Sequence, residues 1–395
     1  MEKKKLFIAV HQLNIGGVQK ALINLLNEID YDKYRVTLYV RKDRLDLLPQ
    51  VNKNVEKIII NEDKTRYYLK PYSLWLLFRL RICDIFKNQS KADGIRAKIS
   101  EYIASEKIKY EKKRHFTGGE RYDVAVSYIQ GWTAKLVAES IDAKRKIMFF
   151  HGSTDETHAV HEQIFDKFDK IVGVGKGVED ALKVFYPKWK DKITHIDNFV
   201  DFKEIALKSE EYSVKTPKNT TVLCSVGRLT KVKGFDLAIK SAKILKEKGV
   251  NFVWYIVGDG VERESLESLI SKFGLIDSVI LVGMKQNPYP YIKACDIYVQ
   301  PSYEEAQPLT LTEAKILCKP IVSTKTIGGI SQISDGKDGL LTEICSDGLA
   351  KGISELIEDE NLKSEIEENL KAKDYSENDK RYRKEIDELL GGKTI

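Results

Sequence analysis

The chain has 395 residues, enough for about two domains. Its 42% hydrophobic and 31% charged content suits a soluble globular protein, and no apolar run reaches the roughly 18 residues of a spanning helix. The net charge of +6 is uneven: residues 64–115 hold 14 Lys and Arg against 5 Asp and Glu, so the rest of the chain is slightly acidic and the charge describes one patch.

Met1–Lys5 leads directly into Leu6–Val10, too short for the apolar core of a secretion signal and suited to a first strand. A loop containing Gly16-Gly17 follows, then a helical pattern at Ala21, Leu22, Leu25 and Leu26. Strand, glycine loop and helix open a Rossmann-like unit. The spacing is not G-x-G-x-x-G, and a plain turn is an equal reading of the two glycines. Tyr34–Val40 and Val55–Ile60 predict strands. Tyr67–Phe86 is aromatic and aliphatic with basic neighbours, and Ile95–Ile108 is a more polar helical stretch. Such helices pack on a sheet with solvated lysines or lie in a membrane interface. Tyr122–Tyr128 and Lys146–Phe150 predict strands, the second ending at His151, where side chains point into the ligand crevice of a parallel sheet. His158 and His161 lack the carboxylates that would suggest a metal. Lys170–Val174 and Lys192–Ile196 are further strands, and polar Lys203–Thr220 marks a domain boundary.

The second half restarts the pattern. Thr221–Val226 is a strand, Gly227–Gly234 a loop carrying Arg228 and Lys233, and Phe235–Lys248 a helix. Two cations beside a helix N-terminus make a diphosphate site. Asn251–Val257 runs into Gly258-Asp259-Gly260, and Val279–Val282 into Gly283-Met284-Lys285. Tyr289–Ala294 is a short helix and Asp296–Val299 a strand. A polar loop then carries Glu305, Pro308 takes the first helical position, and Leu309, Thr312, Glu313, Ile316 and Leu317 continue the helix to Cys318-Lys319-Pro320. Ile321–Ser323 is the next strand. The free N–H groups near Leu309 and Thr310 form an anion site between two carboxylates eight positions apart. Acid, cradle and acid suit a sugar, a phosphate and a ribose; a surface acid on an ordinary strand–loop–helix is the competing reading for either one alone. Ile327-Gly328-Gly329 reads as a loop, Asp335–Leu340 as a turn pair, and Asp347–Ile357, Asn361–Lys371 and Arg381–Leu390 as helices. Cys83, Cys224, Cys295, Cys318 and Cys345 show no paired spacing, so neither zinc nor disulfides are expected, and no metal site is evident.

Pro301-Ser302, Glu305-Ala306-Gln307-Pro308 and Glu313-Ala314, with Gly227-Arg228 and Lys233-Gly234, resemble the signature of the retaining family 4 glycosyltransferases. Ala306 and Gln307 stand where that signature has Gly and Phe. The resemblance implies an α/β protein of GT-B fold, two Rossmann-like domains with parallel sheets facing a central cleft. It implies an acceptor domain over residues 1–200 with a basic helical insertion at 64–115, a nucleotide-sugar domain over 201–372, and C-terminal helices at 373–395 returning to the first domain. The implied reaction moves a sugar from a nucleoside diphosphate, UDP favoured, to a saccharide or lipid-linked hydroxyl in bacterial surface-polysaccharide synthesis. Arg228 and Lys233 would neutralise the departing diphosphate, Glu305 hold the sugar, His151 orient it, and Glu313 take the ribose. Gly16, Gly17, Gly258, Gly260, Met284, Lys285, Ala306, Gln307, Leu309 and Thr310 would complete the donor site. No metal or other cofactor and no nucleic acid is expected. A cytoplasmic location, with contact between the basic segment 64–115 and the inner membrane face, follows from lipid-linked acceptors. A nucleotide-sugar epimerase of this fold and a non-catalytic membrane-associated partner of another transferase are the alternatives.

Overall fold

The computed structural model describes residues 2–41, 45–61, 119–152 and 163–392. The basic segment 64–115, with its two expected helices, and the pair His158 and His161 lie outside the described residues.

The first sheet contains β1 (Lys4–Val10), β2 (Tyr34–Val40), β3 (Lys57–Ile60), β4 (Tyr122–Ser127), β5 (Ala143–Phe150), β6 (Lys170–Gly173) and β7 (Ile193–His195), in the order β3-β2-β1-β4-β5-β6-β7. Its registered neighbours are parallel, with Leu6 opposite both Val36 and Val124. Strands covered on both faces read as unbroken apolar runs, and Leu6–Val10 is buried throughout. Among the described residues, helices α1 (Gly17–Glu28), α2 (Trp132–Ser140) and α3 (Lys176–Phe185) lie in this half of the sequence. α4 (Phe202–Lys208) begins what the sequence suggests is a polar linker. Asp201 starts it, its carboxylate accepting from the N–H groups of Lys203 (2.9 Å) and Glu204 (3.0 Å).

The second sheet is built from β8 (Thr221–Val226), β9 (Phe252–Val257), β10 (Val279–Gly283), β11 (Ile297–Gln300), β12 (Ile321–Thr324) and β13 (Leu340–Thr342), ordered β10-β9-β8-β11-β12-β13. Again every registered pair is parallel. α5 (Phe235–Glu247), α6 (Arg263–Lys272), α7 (Tyr289–Ala294), α8 (Leu309–Ile316), α9 (Ile327–Gln332), α10 (Ser346–Glu358), α11 (Glu360–Lys371) and α12 (Ser376–Gly391) accompany it. Leu223, Trp254, Ile297 and Val322 of the sheet pack with Phe235, Ile239 and Leu245 of α5 and Leu349, Ile353 and Leu356 of α10. Buried Trp254 donates its indole N–H to Ser225 Oγ at 3.0 Å, so the ring carries no unmet polar group into the core. The strand order reverses between β8 and β11, and the crevice beyond the C-terminal ends of such a pair is where open α/β sheets bind ligands.

Grouped by contacts, the chain forms two compact units. One is Met1–Ile15, Ile29–Phe150 and Glu156–Val172; the other is Gly16–Glu28, His151–Asp155 and Gly173–Ile395. Thus α1 groups with the second unit, as does α12. Tyr382 of α12 stacks on Phe199 with ring centroids 5.0 Å apart, and Arg383 pairs with Glu28 of α1.

Two local expectations are corrected. Ile327-Gly328-Gly329 is not a loop but opens α9, capped by Thr326, whose hydroxyl accepts from Gly329 N–H at 3.0 Å. The glycines serve close approach: a Cβ on Gly328 would fall 2.6 Å from Pro308 Cδ and 2.8 Å from Ala306 O. Pro308 is the N-cap of α8 and not its first helical residue, because its ψ of 118° is extended. Among the described residues no helix is long and apolar enough to cross a membrane.

Candidate active site

All the contacts below lie within the second unit. The loop after β8 is pinned before it reaches α5. Gly227 N–H bonds Val257 O at 3.0 Å, Leu229 N–H bonds Asp259 O at 3.0 Å, and Leu229 O accepts from Glu262 N–H at 3.0 Å. Gly258 and Gly260 permit this. A Cβ on Gly258 would lie 1.8 Å from Gly227 O, and one on Gly260 2.3 Å from Leu229 O. The loop is therefore laced to the end of β9 by backbone alone, leaving the Arg228 side chain exposed.

Asp236, in the first turn of α5, holds the other end of the loop. Its carboxylate accepts from Lys231 (2.9 Å), Lys240 (2.9 Å) and Tyr303 Oη (3.0 Å). Burial pushes this carboxyl upward in pKa, but the three hydrogen bonds outweigh it and the net displacement is below the usual value. Tyr303 N–H also bonds Val232 O at 2.9 Å, so the loops after β8 and β11 are joined twice.

That joining brings Lys233 to Glu305, Nζ to Oε1 at 2.5 Å. Glu305 is 9% exposed. Its Oε1 also accepts from Ser302 Oγ (2.8 Å) and Gln300 Nε2 (3.0 Å). Gln300 is held in turn, since its Oε1 accepts from Tyr298 Oη (3.1 Å) and Thr310 Oγ1 (2.9 Å). The three bonds to Glu305 all fall on one oxygen; Oε2 takes none among the described residues. The backbone of the same loop is tied to α9, Gly328 N–H donating to Glu305 O at 2.8 Å.

Gln307, which stands where the resembled signature has Phe, braces the loop. Its Oε1 accepts from Asn198 N–H (2.7 Å) and its Nε2 donates to Asp197 Oδ1 (2.8 Å). No side chain caps α8, so the N–H groups of its first turn at Leu309 and Thr310 keep their anion-binding capacity.

Glu313 is only 2% exposed. Its Oε1 accepts from Lys20 Nζ at 2.6 Å and from Tyr289 Oη at 3.4 Å. Lys20 Nζ also donates to Tyr289 Oη and sits 4.6 Å from the centroid of that ring. Burial raises the phenol of Tyr289 well above its usual range, and the Glu313 charge adds to this. Gly16, at the loop before α1, lies against Arg228: a Cβ there would be 2.8 Å from Nη2.

The expected residues therefore divide. Lys233 meets Glu305, Gly16 meets Arg228, and Gly258 and Gly260 back the loop that carries Arg228. Gly17 faces open space at the first position of α1. Met284 and Lys285 are exposed after β10, two strands from β8. His151 follows β5 directly and is partly buried. Sequence reasoning missed Lys20, Tyr289, Gln300, Ser302 and Asp236. Lys20 carries one weak signal, a cation one helical turn beyond a glycine loop. Tyr289 reaches Glu313 across 24 positions, while Gln300, Ser302 and Asp236 bond neighbours three to five positions away through loop geometry that apolar periodicity does not report. Among the described residues, Cys224, Cys295, Cys318 and Cys345 are free thiols.

The model of the family described as "Glycosyl transferases group 1" matches residues 208–373. The lipopolysaccharide core biosynthesis glycosyltransferase LpsE of Rhizobium meliloti (strain 1021) is 29% identical over 181 residues, 46% of this chain and 52% of that protein. The chain thus spans about half the length of that relative. The N,N'-diacetylbacillosaminyl-diphospho-undecaprenol alpha-1,3-N-acetylgalactosaminyltransferase of Campylobacter jejuni is 30% identical over 271 residues, 66% of this chain and 67% of that protein. Among solved structures, Anabaena Alr3699/HepE in complex with UDP superposes with a TM-score of 0.70 at 16% identity, covering 98% of this chain and 100% of that one. The chain belongs to the group 1 glycosyl transferases and has their GT-B fold of two Rossmann-like halves.

Proposed function

We propose that this protein transfers a sugar from a nucleoside-diphosphate sugar, a UDP-sugar first, to a hydroxyl of a saccharide or lipid-linked acceptor, with retention at the anomeric carbon. The contact of Lys233 with Glu305 at the β8/β11 reversal carries this reading. It sets a cation and a half-free carboxylate side by side where an anionic, polyhydroxylated ligand would bind. Arg228, Lys233 and the first N–H groups of α8 draw off charge growing on the departing diphosphate, an effect stronger in the transition state than in the ground state. The anomeric carbon loses its bond to the diphosphate oxygen and gains one to the acceptor oxygen on the same face. The acceptor proton passes to the diphosphate. Glu305 holds sugar hydroxyls through Oε2 and steadies the positive ring; Glu313 takes ribose hydroxyls; His151 orients the sugar or the acceptor. No step needs a metal, because fixed cations and amides neutralise the leaving group.

Support for the substrates comes from relatives. The Campylobacter protein's name specifies a diphospho-undecaprenol acceptor, LpsE's places it in lipopolysaccharide core synthesis, and the Anabaena structure holds UDP. Bacterial surface-polysaccharide synthesis at the inner face of the membrane, with residues 64–115 meeting the lipid, is the corresponding biological setting. The test is UDP release from a panel of UDP-sugars with and without polyprenyl-diphosphate saccharides, in EDTA and in Mg²⁺. Acceptor-dependent release, equal in EDTA, with the product's anomeric configuration matching the donor's, is the expected result. Conversion of donor alone into an isomer would replace transfer with epimerisation.

A further inference from the structure

Glu313 poses a physical problem of its own. A carboxylate with 2% exposure needs a counter-charge and hydrogen bonds, because burying it bare forfeits its hydration with nothing in return. Lys20 provides the charge. Its Nζ lies 2.6 Å from Oε1, and Tyr289 Oη points at the same oxygen from 3.4 Å. The ammonium is itself fixed, bonded to Tyr289 Oη and 4.6 Å from that ring's centroid. Both bonds fall on Oε1 and spare Oε2. A carboxylate offers about four acceptor sites, so an anchored Oε1 leaves Oε2 to meet a pair of neighbouring hydroxyls in one orientation. The backbone ties this arrangement to the phosphate end. Lys20 N–H bonds Gly16 O at 2.9 Å, and Gly16 lies against Arg228. One turn of α1 therefore links the cation expected at the diphosphate to the cation that holds the ribose carboxylate.

We propose that Lys20 is a positioning residue for nucleotide recognition: seated on Tyr289, its ammonium fixes Oε1 of Glu313 and so presents Oε2 to the vicinal hydroxyls of the donor ribose. The inference rests on the reading of Glu313 as the ribose ligand given above. It predicts a ribose-dependent effect of a residue that need not touch the nucleotide, and this separates it from a role in stability alone.

The experiment is calorimetric titration of the full-length protein with UDP and with 2',3'-dideoxy-UDP, for the parent and for Lys20→Met, Lys20→Arg, Tyr289→Phe and Glu313→Gln. Lys20→Met is expected to weaken UDP binding about 10- to 100-fold, the range of a charge-assisted hydrogen bond, and dideoxy-UDP binding less than about twofold. Lys20→Arg should restore most of the loss. If Lys20→Met does not fold, Tyr289→Phe carries the test, because it keeps the ring and removes only the hydroxyl; a loss of roughly tenfold, for UDP alone, is expected from a hydroxyl bonded to both charged groups. Equal weakening of both nucleotides, or of neither, overturns the inference. Glu313→Gln separates the two layers. If it binds UDP like the parent, the ribose reading fails and takes this inference with it. If it loses ribose-dependent affinity while the Lys20 and Tyr289 variants do not, only the positioning role is lost.

Discussion

Gly258→Ala tests the claim that backbone contact, and not the ligand, dictates the glycines after β9. Gly258 has φ +152°, and a Cβ there would lie 1.8 Å from Gly227 O and 2.9 Å from Gly227 C. Even close carbon–oxygen contacts in proteins stand at about 3.3 Å, so the overlap is near 1.5 Å and falls on main chain that cannot rotate away. The φ strain costs about 1–3 kcal/mol, and forced repacking about 1–3 kcal/mol more. A total of about 2–6 kcal/mol is a large share of the roughly 5–15 kcal/mol that holds a domain. The control is Gly274→Ala, where φ is +64° and no atom lies within 4 Å, so only the conformational cost of about 1–2 kcal/mol applies. Urea unfolding followed by the fluorescence of Trp254, fully buried in the same sheet, with Trp75, Trp132 and Trp189 replaced by Phe in every variant, reads the second unit, alongside UDP titration. Gly258→Ala should lower the midpoint by about 1 M or more, with m near 2–3 kcal/mol/M. It should also weaken UDP binding, because Gly227 leads into Arg228. A midpoint no lower than that of Gly274→Ala, with UDP affinity intact, would refute the reasoning.

Three further predictions follow from single contacts. Glu305→Gln should cut turnover about 10²- to 10³-fold while UDP affinity stays within a few-fold, as expected of a group that acts in the transition state; steady-state kinetics beside UDP titration measure both, and unchanged turnover would remove Glu305 from the chemistry. Asp236 has its pKa lowered in the fold, so its contribution to stability is present above about pH 4 and is lost as pH falls through the lowered value; the stability gap between the parent and Asp236→Asn should therefore narrow from pH 7 to pH 3, and a constant gap would contradict the assignment. Buried Lys315 pairs with partly exposed Asp338 at 2.5 Å, and burial pulls the lysine's pKa down. Asp338→Ala leaves that ammonium without its carboxylate and should cost about 3–5 kcal/mol by chemical denaturation; a loss under about 1 kcal/mol would show that the lysine is rehydrated.

Much of this architecture was legible because buried parallel strands are written as apolar runs. Leu6–Val10, Tyr34–Val40 and Thr221–Val226 are recognised as short, largely apolar runs between polar stretches, the last closed by Gly227. β13 escaped because three residues inside a turn-rich stretch show no periodicity. α3 also went unread, although its burial falls at Val178, Glu179 and Leu182, a helical spacing that a polar composition masks. The acids at 305 and 313 and the cations at 228 and 233 were visible as spacing within one loop or helix. Their partners were not. Lys20 is 293 residues from Glu313 in sequence, and many lysines in the chain look equally suitable until the fold selects one. Gly328-Gly329 misled for a related reason: a glycine pair looks the same whether it frees a loop or lets a helix press on Pro308.

Glu305 and Glu313 turn out to obey the same design despite being assigned to opposite ends of a donor. Each is nearly buried, each is paired with a lysine from a distant segment, and in each the bonds gather on Oε1. A buried acid with no cation would be too costly to keep charged, and an acid with both oxygens spent could not accept a ligand's hydroxyls. Committing one oxygen to the protein and sparing the other satisfies both demands. It also fixes the plane of each carboxylate before any ligand arrives, so the alignment cost is met during folding and not during binding or reaction. For this reason the partner lysines matter as much as the acids. Exchanging either lysine for an uncharged side chain should free its carboxylate to rotate, and the loss should appear as weaker hydroxyl recognition even where no atom of that lysine meets the ligand.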